Sequence, residues 1–272
     1  MNPLATNVSS GTLAGMVYRL LLLALLALAP LRAADPQPLL IAAAADLKFA
    51  LDDVLTDFRK AHPDLDPKAT YGSSGTLFAQ IDNGAPFDLF LSADVKFPRQ
   101  LAEHGKADKD TLFSYAIGHL VVWVPKESKL DVTQGIAVLK DAAIKKIAIA
   151  NPKVAPYGAA AEAALKKLGV YEAISSKIVL GENIAQTAQF VESGAADIGL
   201  VSLSLALSPK MKDAGRYWEV PGDAFPKLEQ AGILCQGGAN AAGAKQLREY
   251  LGTPPARAIL RRYGFALPDE SK

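Results

Sequence analysis

Five short segments combine small residues, hydroxyls and free backbone amides at points where a predicted strand ends and a helix begins. They read AAADLK (43–48), YGSSGT (71–76), VAPYGA (154–159), GENIAQ (181–186) and LVSLSL (200–205). They contain no arginine, and Lys48 and Lys153 are the only cations in or beside them. Helix N-termini present unpaired N–H groups, and ligands of open α/β sheets bind at the carboxyl ends of strands. The pattern predicts a site where neutral donors hold a small anion.

Each segment taken alone is also consistent with plain helix capping. A serine at an N-cap stabilises a helix by about 1 kcal/mol without any ligand, and Tyr157 after Pro156 is more typical of a packed aromatic residue than of a ligand. Hydrogen bonds to a charged group contribute roughly 1.5–3 kcal/mol each, so several together would offset the cost of association. The recurrence of such segments in one chain favours the binding site.

The elements that must position these segments alternate along the chain. Short apolar runs alternate with segments of helical period, which is typical of an α/β fold with largely parallel sheets. Two lobes are expected, because the strands are too many for one compact lobe. The clearest predicted elements are strands at 38–44, 88–94, 119–125, 146–150, 197–201 and 233–237, a helix at 46–60, and helices ended by Gly169 and Gly194.

The N-terminal region indicates export. Arg19 precedes an apolar run from Leu20 to Leu31, which is followed by Ala33 and Ala34. The run is short for a membrane span but suits the hydrophobic region of a secretory signal peptide. We therefore expect residues 1–34 to be a signal peptide, with MVYR favouring Met16 as the translation start, and the mature protein to be periplasmic. The single cysteine, Cys235, excludes an internal disulfide and is expected to be buried.

Other classes of function fit the sequence poorly. A net charge of +1 without a long basic run argues against nucleic acid as a partner. The GSSG segment lacks the glycine spacing of a nucleophile elbow. His62 and His104 are typical of surface residues at helix ends, and His119 lies far from the serine turns in sequence. No dinucleotide fingerprint is present, and the turns carry too few carboxylates for a metal-cation site. We expect neither enzymatic activity nor a cofactor, with a serine hydrolase as the remote alternative.

Four segments resemble the periplasmic molybdate-binding proteins of bacterial ABC transporters: IAAAADLKFALDDVLTDF, YGSSGTLFAQIDNGAPFDLFLSAD, YAIGHLVVWVP and ILRRYGF. The resemblance extends from Leu39 to Phe265. It implies a two-lobed, type II periplasmic-binding-protein fold with a cleft that closes on a tetrahedral dianion, molybdate or tungstate. It places lobe 1 at 35–117 with 228–272 and lobe 2 at 118–227. It further implies a monomer that delivers its oxyanion to a membrane permease.

The same resemblance implies which residues bind the oxyanion. The ligand-binding serine of the family corresponds to Ser74 in the segment YGSSGT. Tyr157 and Ile184 correspond to positions that donate backbone N–H groups. Ser202 stands where some members present a tyrosine hydroxyl. Because its side chain is shorter, whether Ser202 contacts the oxyanion directly stays open. Asp46 stands where many members have serine. The expected ligand set is therefore Asp46, Ser74, Tyr157, Ile184 and Ser202.

Asp46 departs most from the family pattern, because a carboxylate beside a dianion is repulsive, by about 4 kcal/mol at 4 Å for an effective dielectric near 20. The favoured interpretation is that Asp46 offers its backbone N–H while its carboxylate caps helix 46–60. Alternatively, its carboxyl group is protonated. In the third interpretation it accepts a proton from the ligand, which would point to hydrogen phosphate. Another tetrahedral oxyanion, phosphate or sulfate, therefore stays open as the alternative ligand.

Overall fold

Ten strands pair into two separate five-stranded sheets in the computed structural model, which describes residues 36–270. The predicted signal peptide, the start at Met16 and the cleavage site lie outside these residues. The strands are β1 (Gln37–Ala44), β2 (Leu65–Gly72), β3 (Leu89–Ser92), β4 (Phe113–Gly118), β5 (Leu120–Pro125), β6 (Ile147–Ala150), β7 (Ile178–Gly181), β8 (Ile198–Ser202), β9 (Gly215–Glu219) and β10 (Leu228–Leu234).

The two sheets have the same topology. The first sheet has the strand order β2-β1-β3-β10-β4, and the second has the order β7-β6-β8-β5-β9. In each, the three strands at one edge are parallel, and the fourth strand runs antiparallel to both of its neighbours. The sheets are therefore mixed, although four strands of each share one direction. This refines the expectation of largely parallel sheets.

The chain passes between the sheets twice. His119 alone separates β4 of the first sheet from β5 of the second, and residues 220–227 lead back from β9 to β10. The first sheet is thus built from both ends of the described chain. Both sheets lie within one compact unit that begins at Pro36.

Nine α-helices and five short 3-10 helices connect the strands of residues 36–270. The α-helices are α1 (Lys48–Ala61), α2 (Ser74–Asp82), α3 (Lys96–Glu103), α4 (Pro156–Lys167), α5 (Tyr171–Ile174), α6 (Ile184–Glu192), α7 (Leu203–Ala206), α8 (Ala241–Leu251) and α9 (Pro254–Arg262). The 3-10 helices are Ala45–Leu47, Lys109–Thr111, Val132–Lys140, Ser175–Lys177 and Gly222–Ala224. Within the described part of the chain, no helix has the length and apolar character needed to cross a membrane.

Apolar side chains cover the faces of both sheets. The cluster around the second sheet includes Trp123, Leu165 and Val201, and α1, α8 and α9 pack on the first sheet through Phe58, Leu247 and others. These helices follow from apolar positions spaced three and four apart, as in α1 with its buried Leu51, Val54, Leu55 and Phe58. The cores therefore hold the strand ends, and the loops that follow them, in fixed positions.

The predicted elements agree with the structure apart from their ends. The predicted helix 46–60 starts as a 3-10 turn, Ala45–Leu47, before α1. The last predicted strand, 233–237, begins five residues earlier, at Leu228, and ends at Leu234. Gly169 and Gly194 follow α4 and α6 with φ of 67° and 75°, which favours glycine. Cys235 is free and buried, as expected.

Candidate anion-binding site

The loops after β1, β2, β6 and β7 meet at one small cavity between the two sheets. The cavity has a volume of about 10 Å³, far below the 300–1,000 Å³ typical of pockets for drug-sized ligands. A space of this size excludes drug-sized molecules. Its lining residues are Ala44, Ala45, Asp46, Gly72, Ser73, Ser74, Ala93, Ala155, Pro156, Tyr157 and Ile184.

Two adjacent serines in the loop after β2 have different surroundings: one caps a helix, and the other is available to a ligand. Ser73 is the N-cap of α2, and its Oγ accepts a hydrogen bond from the Thr76 N–H. Ser74 follows as the first helical residue and is fully buried. Its Oγ accepts from the Ala93 N–H at 3.0 Å, and no acceptor for the Ser74 hydroxyl hydrogen occurs among residues 36–270. Ser74 therefore has a buried O–H donor available at the cavity.

The loop before α6 leaves one backbone donor free. The side chain of Asn183, the N-cap, accepts from the N–H groups of both Ala185 and Gln186, while the Thr187 N–H bonds to the Asn183 carbonyl. Ile184, the first residue of the helix, has no acceptor for its N–H within the described part of the chain. The first N–H groups of a helix lack intrahelical partners, so this donor is available to a ligand.

The loop before α4 presents Tyr157 in a similar way. Pro156 occupies the first helical position, where the lack of an N–H costs nothing. The backbone N–H of Tyr157 comes next and has no protein acceptor in the described structure. The side chain of Tyr157 is buried and its hydroxyl lies under Gly118, where an added Cβ would come within 2.1 Å of it. The helix therefore directs a free N–H to the cavity while its tyrosine packs at the crossing between the sheets.

The first loop is tied to the second sheet through its backbone. Ser204 Oγ donates to the carbonyl oxygen of Asp46 at 2.8 Å and also lies 3.0 Å from Ser202 Oγ. Because the single Ser204 hydroxyl hydrogen goes to the carbonyl, Ser202 must donate to Ser204. Ser202 also caps α7 by accepting from the Leu205 N–H. Ser202 does not line the cavity, and Ser204, which the sequence analysis did not identify, stands between it and the first loop.

The side chain of Asp46 does not cap a helix. Neither the 3-10 turn nor α1 has a side-chain cap, so the favoured interpretation from the sequence is wrong on this point. Oδ2 of Asp46 instead accepts a hydrogen bond from Nε2 of Gln230, and Oδ1 is buried without a hydrogen-bond partner among the described residues. Asp46 and Gln230 are almost entirely shielded from solvent.

Burial is the main influence on this carboxyl group and raises the pKa of Asp46 to about 6, against hydrogen bonds from Gln230, from Tyr157 and from the backbone N–H groups of Asp46 and Leu47 that lower it. The nearby phenols are affected as well. Burial, and secondarily the charge of Asp46, raises the pKa of both Tyr115 and Tyr157 well above the ordinary value. Both phenols therefore stay protonated and neutral at physiological pH.

A β-bulge brings Gln230 into this network. In the pairing of β10 with β4, Gln230 stands opposite Ala116 and Ala231 opposite Ser114, so Tyr115 is the extra residue. Bulges bend a strand and re-aim its side chains. The Tyr115 hydroxyl has two acceptors, Oε1 of Gln230 at 3.0 Å and the carbonyl oxygen of Ser92 at 3.1 Å. Nε2 of Gln230 lies 3.3 Å from the Tyr157 hydroxyl. Gln230 thus links three polar side chains from the two sheets.

The electrostatic character of the cavity comes from dipoles rather than from cations. Neither Lys48 nor Lys153 lines it; Lys48 lies 3.6 Å from Asp52 and over the ring of Tyr71. No histidine lines it either, and the described residues contain no cluster of three metal-ligating side chains. Larger grooves open elsewhere on the surface, for example beside Met211, but the free helix N-termini described above face this cavity. The arrangement suits an anion that carries only acceptor atoms.

The structure thus brings together four of the five residues expected from the sequence: Asp46, Ser74, Tyr157 and Ile184. Sequence reasoning missed Gln230 and Ser204, which act on the first loop from positions far along the chain. A glutamine directly before the apolar residues 231–234 of the same strand was the available signal for Gln230.

Known proteins give an independent comparison. Residues 39–266 match the family model for bacterial extracellular solute-binding proteins. The molybdate-binding protein ModA of Azotobacter vinelandii is 40% identical over 237 residues, which cover 86% of this chain and 92% of that protein. ModA of Rhodobacter capsulatus is 42% identical over 195 residues, or 72% and 75% of the two chains.

A solved structure agrees with these matches. The periplasmic molybdate-binding protein of Azotobacter vinelandii superposes with a TM-score of 0.79 at 34% identity, covering 85% of this chain and 99% of that one. The similarity confirms the resemblance expected from the sequence and the two-lobed α/β fold. The relatives in these matches are described as binding proteins rather than as enzymes.

Proposed function

Because the chain belongs to the bacterial extracellular solute-binding protein family, we propose that it binds molybdate, and tungstate by the same contacts, for delivery to an ABC transporter permease. One observation carries the proposal: a small cavity lined by helix N-termini with free donors and no lysine or arginine. The names of the most similar relatives support molybdate as the anion.

The proposed ligand contacts follow from the unpaired donors. Ser74 contributes its hydroxyl, Tyr157 and Ile184 contribute backbone N–H groups, and Asp46 contributes from the first loop. All of these groups would contact oxygen atoms of the anion and none would contact the metal atom. For Ser202 we propose an indirect role, in which it holds Ser204 against the carbonyl of Asp46. Hydrogen bonds to a charged group, at roughly 1.5–3 kcal/mol each, would together support micromolar or tighter binding.

We also propose that the two sheets are the cores of two hinged lobes, residues 35–117 with 228–272 and residues 118–227. The two crossings of the chain, at His119 and at 220–227, would form the hinge. Donors from both lobes surround the cavity, so an anion between them would favour the closed arrangement. The protein would act as a periplasmic monomer without a cofactor, and would carry out no reaction on the oxyanion.

Titration calorimetry with molybdate, tungstate, sulfate and phosphate tests the function. We expect tight binding of molybdate and tungstate, with sulfate and phosphate much weaker because the cavity selects by the span of the oxygen atoms. Tight binding of phosphate, lost in Asp46→Asn, would instead support the alternative in which an ionised Asp46 accepts a proton from the ligand. Absence of any oxyanion binding would refute the site itself.

A serine hydrolase is the remote alternative, and its test is separate. Hydrolysis of ester substrates that disappears in Ser74→Ala would establish it. We expect no such activity, because Ser74 has no histidine beside it at the cavity and a serine hydroxyl needs an adjacent base to act as a nucleophile.

A further inference from the structure

One oxygen of the Asp46 carboxyl group is left without a partner at the cavity. Oδ2 is engaged by Gln230, whereas Oδ1 is fully buried and has no hydrogen-bond partner in the described structure. Asp46 lines the cavity, and the other lining residues include no aspartate, glutamate, lysine, arginine or histidine. A buried polar atom without a partner is costly and calls for an explanation. A ligand atom in the cavity would supply the missing partner.

The chemistry of a tetrahedral dianion limits what that partner is. Molybdate and tungstate offer oxygen acceptors and carry no proton near neutral pH. An ionised Oδ1 is also an acceptor only, so the two would repel each other. A neutral carboxylic acid instead carries an O–H donor, which would complete the set of neutral donors around the cavity. Only the neutral form of Asp46 would let Oδ1 donate to an oxygen atom of the anion.

We propose that Asp46 binds the oxyanion as a neutral acid whose Oδ1–H donates to an anion oxygen, so that the protein takes up one proton when the dianion binds. The proton comes from the solvent and goes to Oδ1, and no bond of the anion is broken. This inference rests on the proposed function and adds that binding of the oxyanion depends on pH.

The surroundings of Asp46 favour this state. The titratable groups that face it are Tyr115 on β4 and Tyr157 on α4, and both stay neutral. In residues 36–270, no lysine, arginine or histidine contributes to the pKa of Asp46. Burial raises that pKa to about 6 before any anion is present, even though hydrogen bonds from Gln230, Tyr157 and the backbone N–H groups of Asp46 and Leu47 lower it, and a dianion beside it would raise it further. The ionised form is thus the unfavourable one in the complex.

Gln230 acts as a positioning residue. Its Nε2 faces Asp46 and donates to Oδ2, while its Oε1 faces the Tyr115 hydroxyl. This arrangement leaves Oδ1 to carry the proton. Because the hydrogen bond from Gln230 also lowers the pKa of Asp46, loss of the amide should move proton uptake to higher pH.

The test is titration calorimetry of the mature protein with molybdate between about pH 5.5 and 8.5, in buffers of different ionisation enthalpy. With a free pKa of about 6, we expect the affinity to fall up to about tenfold per pH unit at higher pH, because the proton must be supplied. Proton uptake should approach one per anion at the upper end. In Asp46→Asn, which keeps an acceptor for Gln230, uptake should vanish and the affinity should be independent of pH.

Two further variants distinguish this role from a merely structural one. Ser74→Ala should weaken binding at every pH while proton uptake stays at the wild-type value. Gln230→Met should move the start of the affinity decrease to higher pH, and circular dichroism would verify that each variant is folded. Tight, pH-independent molybdate binding without proton uptake in the wild type would overturn the inference and leave the proposed function intact. No molybdate binding at any pH would overturn both.

Discussion

The backbone N–H of Gly75 donates a 2.9 Å hydrogen bond to the carbonyl oxygen of Val154. Gly75 is in the first turn of α2, next to the first sheet, and Val154 is in the loop that follows β6 of the second sheet. A Cβ on residue 75 would lie 2.8 Å from that carbonyl oxygen. The two loops that line the cavity from opposite sides can therefore approach this closely only with glycine at position 75.

Gly75→Ala is expected to weaken molybdate binding by about tenfold or more, because the methyl group forces the loops apart. The free energy of unfolding should change little, since alanine suits the first turn of a helix. Titration calorimetry and urea denaturation measure the two effects. Gly237→Ala is the matched control, because its added Cβ would make only ordinary contacts, the nearest at 3.5 Å to the Ala85 carbonyl oxygen. If the two variants bound molybdate equally well, the close approach of the two loops at Gly75 would not be needed for binding.

The adjacent serines allow capping and ligand binding to be separated. Ser74→Ala removes the free hydroxyl donor and should weaken binding about 10- to 100-fold, as expected for a hydrogen bond to a charged group of roughly 1.5–3 kcal/mol. Ser73→Ala removes the N-cap of α2 and should lower the free energy of unfolding by about 1 kcal/mol, with a smaller effect on affinity. Calorimetry and urea denaturation of both variants provide the comparison. If Ser73→Ala lost more affinity than Ser74→Ala, the proposed position of the anion would be wrong.

Ile184→Pro tests a backbone donor directly. Proline is favoured at the first helical position, and Asn183 before it is already extended, with φ −147° and ψ 175°, as a residue before proline requires. The substitution therefore removes the N–H while α6 should remain intact. We expect molybdate affinity to fall about 10- to 100-fold in calorimetry.

Ile184→Val is the control, because it shortens the side chain and keeps the N–H. It should bind molybdate within a few-fold of wild type. If the proline variant binds as well as the valine variant, the Ile184 N–H does not contact the anion.

The ligand-free protein should lose stability as the pH rises through the pKa of Asp46. This pKa is about 6 in the folded protein, against 3.8 as the ordinary value, so the folded state binds more protons between these values. The free energy of unfolding should fall by up to about 3 kcal/mol from pH 4 to pH 7, at about 1.4 kcal/mol per pKa unit. Urea denaturation across this range measures it.

Asp46→Asn isolates this contribution. Relative to wild type, the asparagine variant should gain stability as the pH rises from 4 to 7, because it has no charge to bury. A constant difference between the two proteins over that range would show that Asp46 does not titrate with a raised pKa.

The sequence was sufficient to identify the turns that form the site, because helix starts follow local rules. Ser73 and Asn183 cap α2 and α6 through their own side chains, and Pro156 marks the start of α4. The family resemblance then supplied the expected residues among these turns. A single turn in the sequence could not reveal that the N–H of Ile184 remains free. In the structure, the Asn183 side chain accepts hydrogen bonds from the N–H groups of Ala185 and Gln186 instead.

The direction of the Asp46 side chain could not be predicted in this way. Local chemistry favours an aspartate at a helix start as a cap, but the tertiary structure places Gln230, 184 residues along the chain, beside it. The bulge in β10 and β4 that brings in Gln230 and Tyr115 depends on strand pairing, which has no local signature here.

The sequence by itself determined the fold class, the helix starts and the neutral character of the expected donors, because these depend on residues close together in the chain. Only the tertiary structure decided that Gly75 meets Val154, that Ser204 holds the first loop, and that Asp46 keeps one buried oxygen without a partner. The two contacts join residues next to different sheets, and the environment of Asp46 depends on strands that are distant in the chain. They exist only after both sheets have formed and their strand ends face each other.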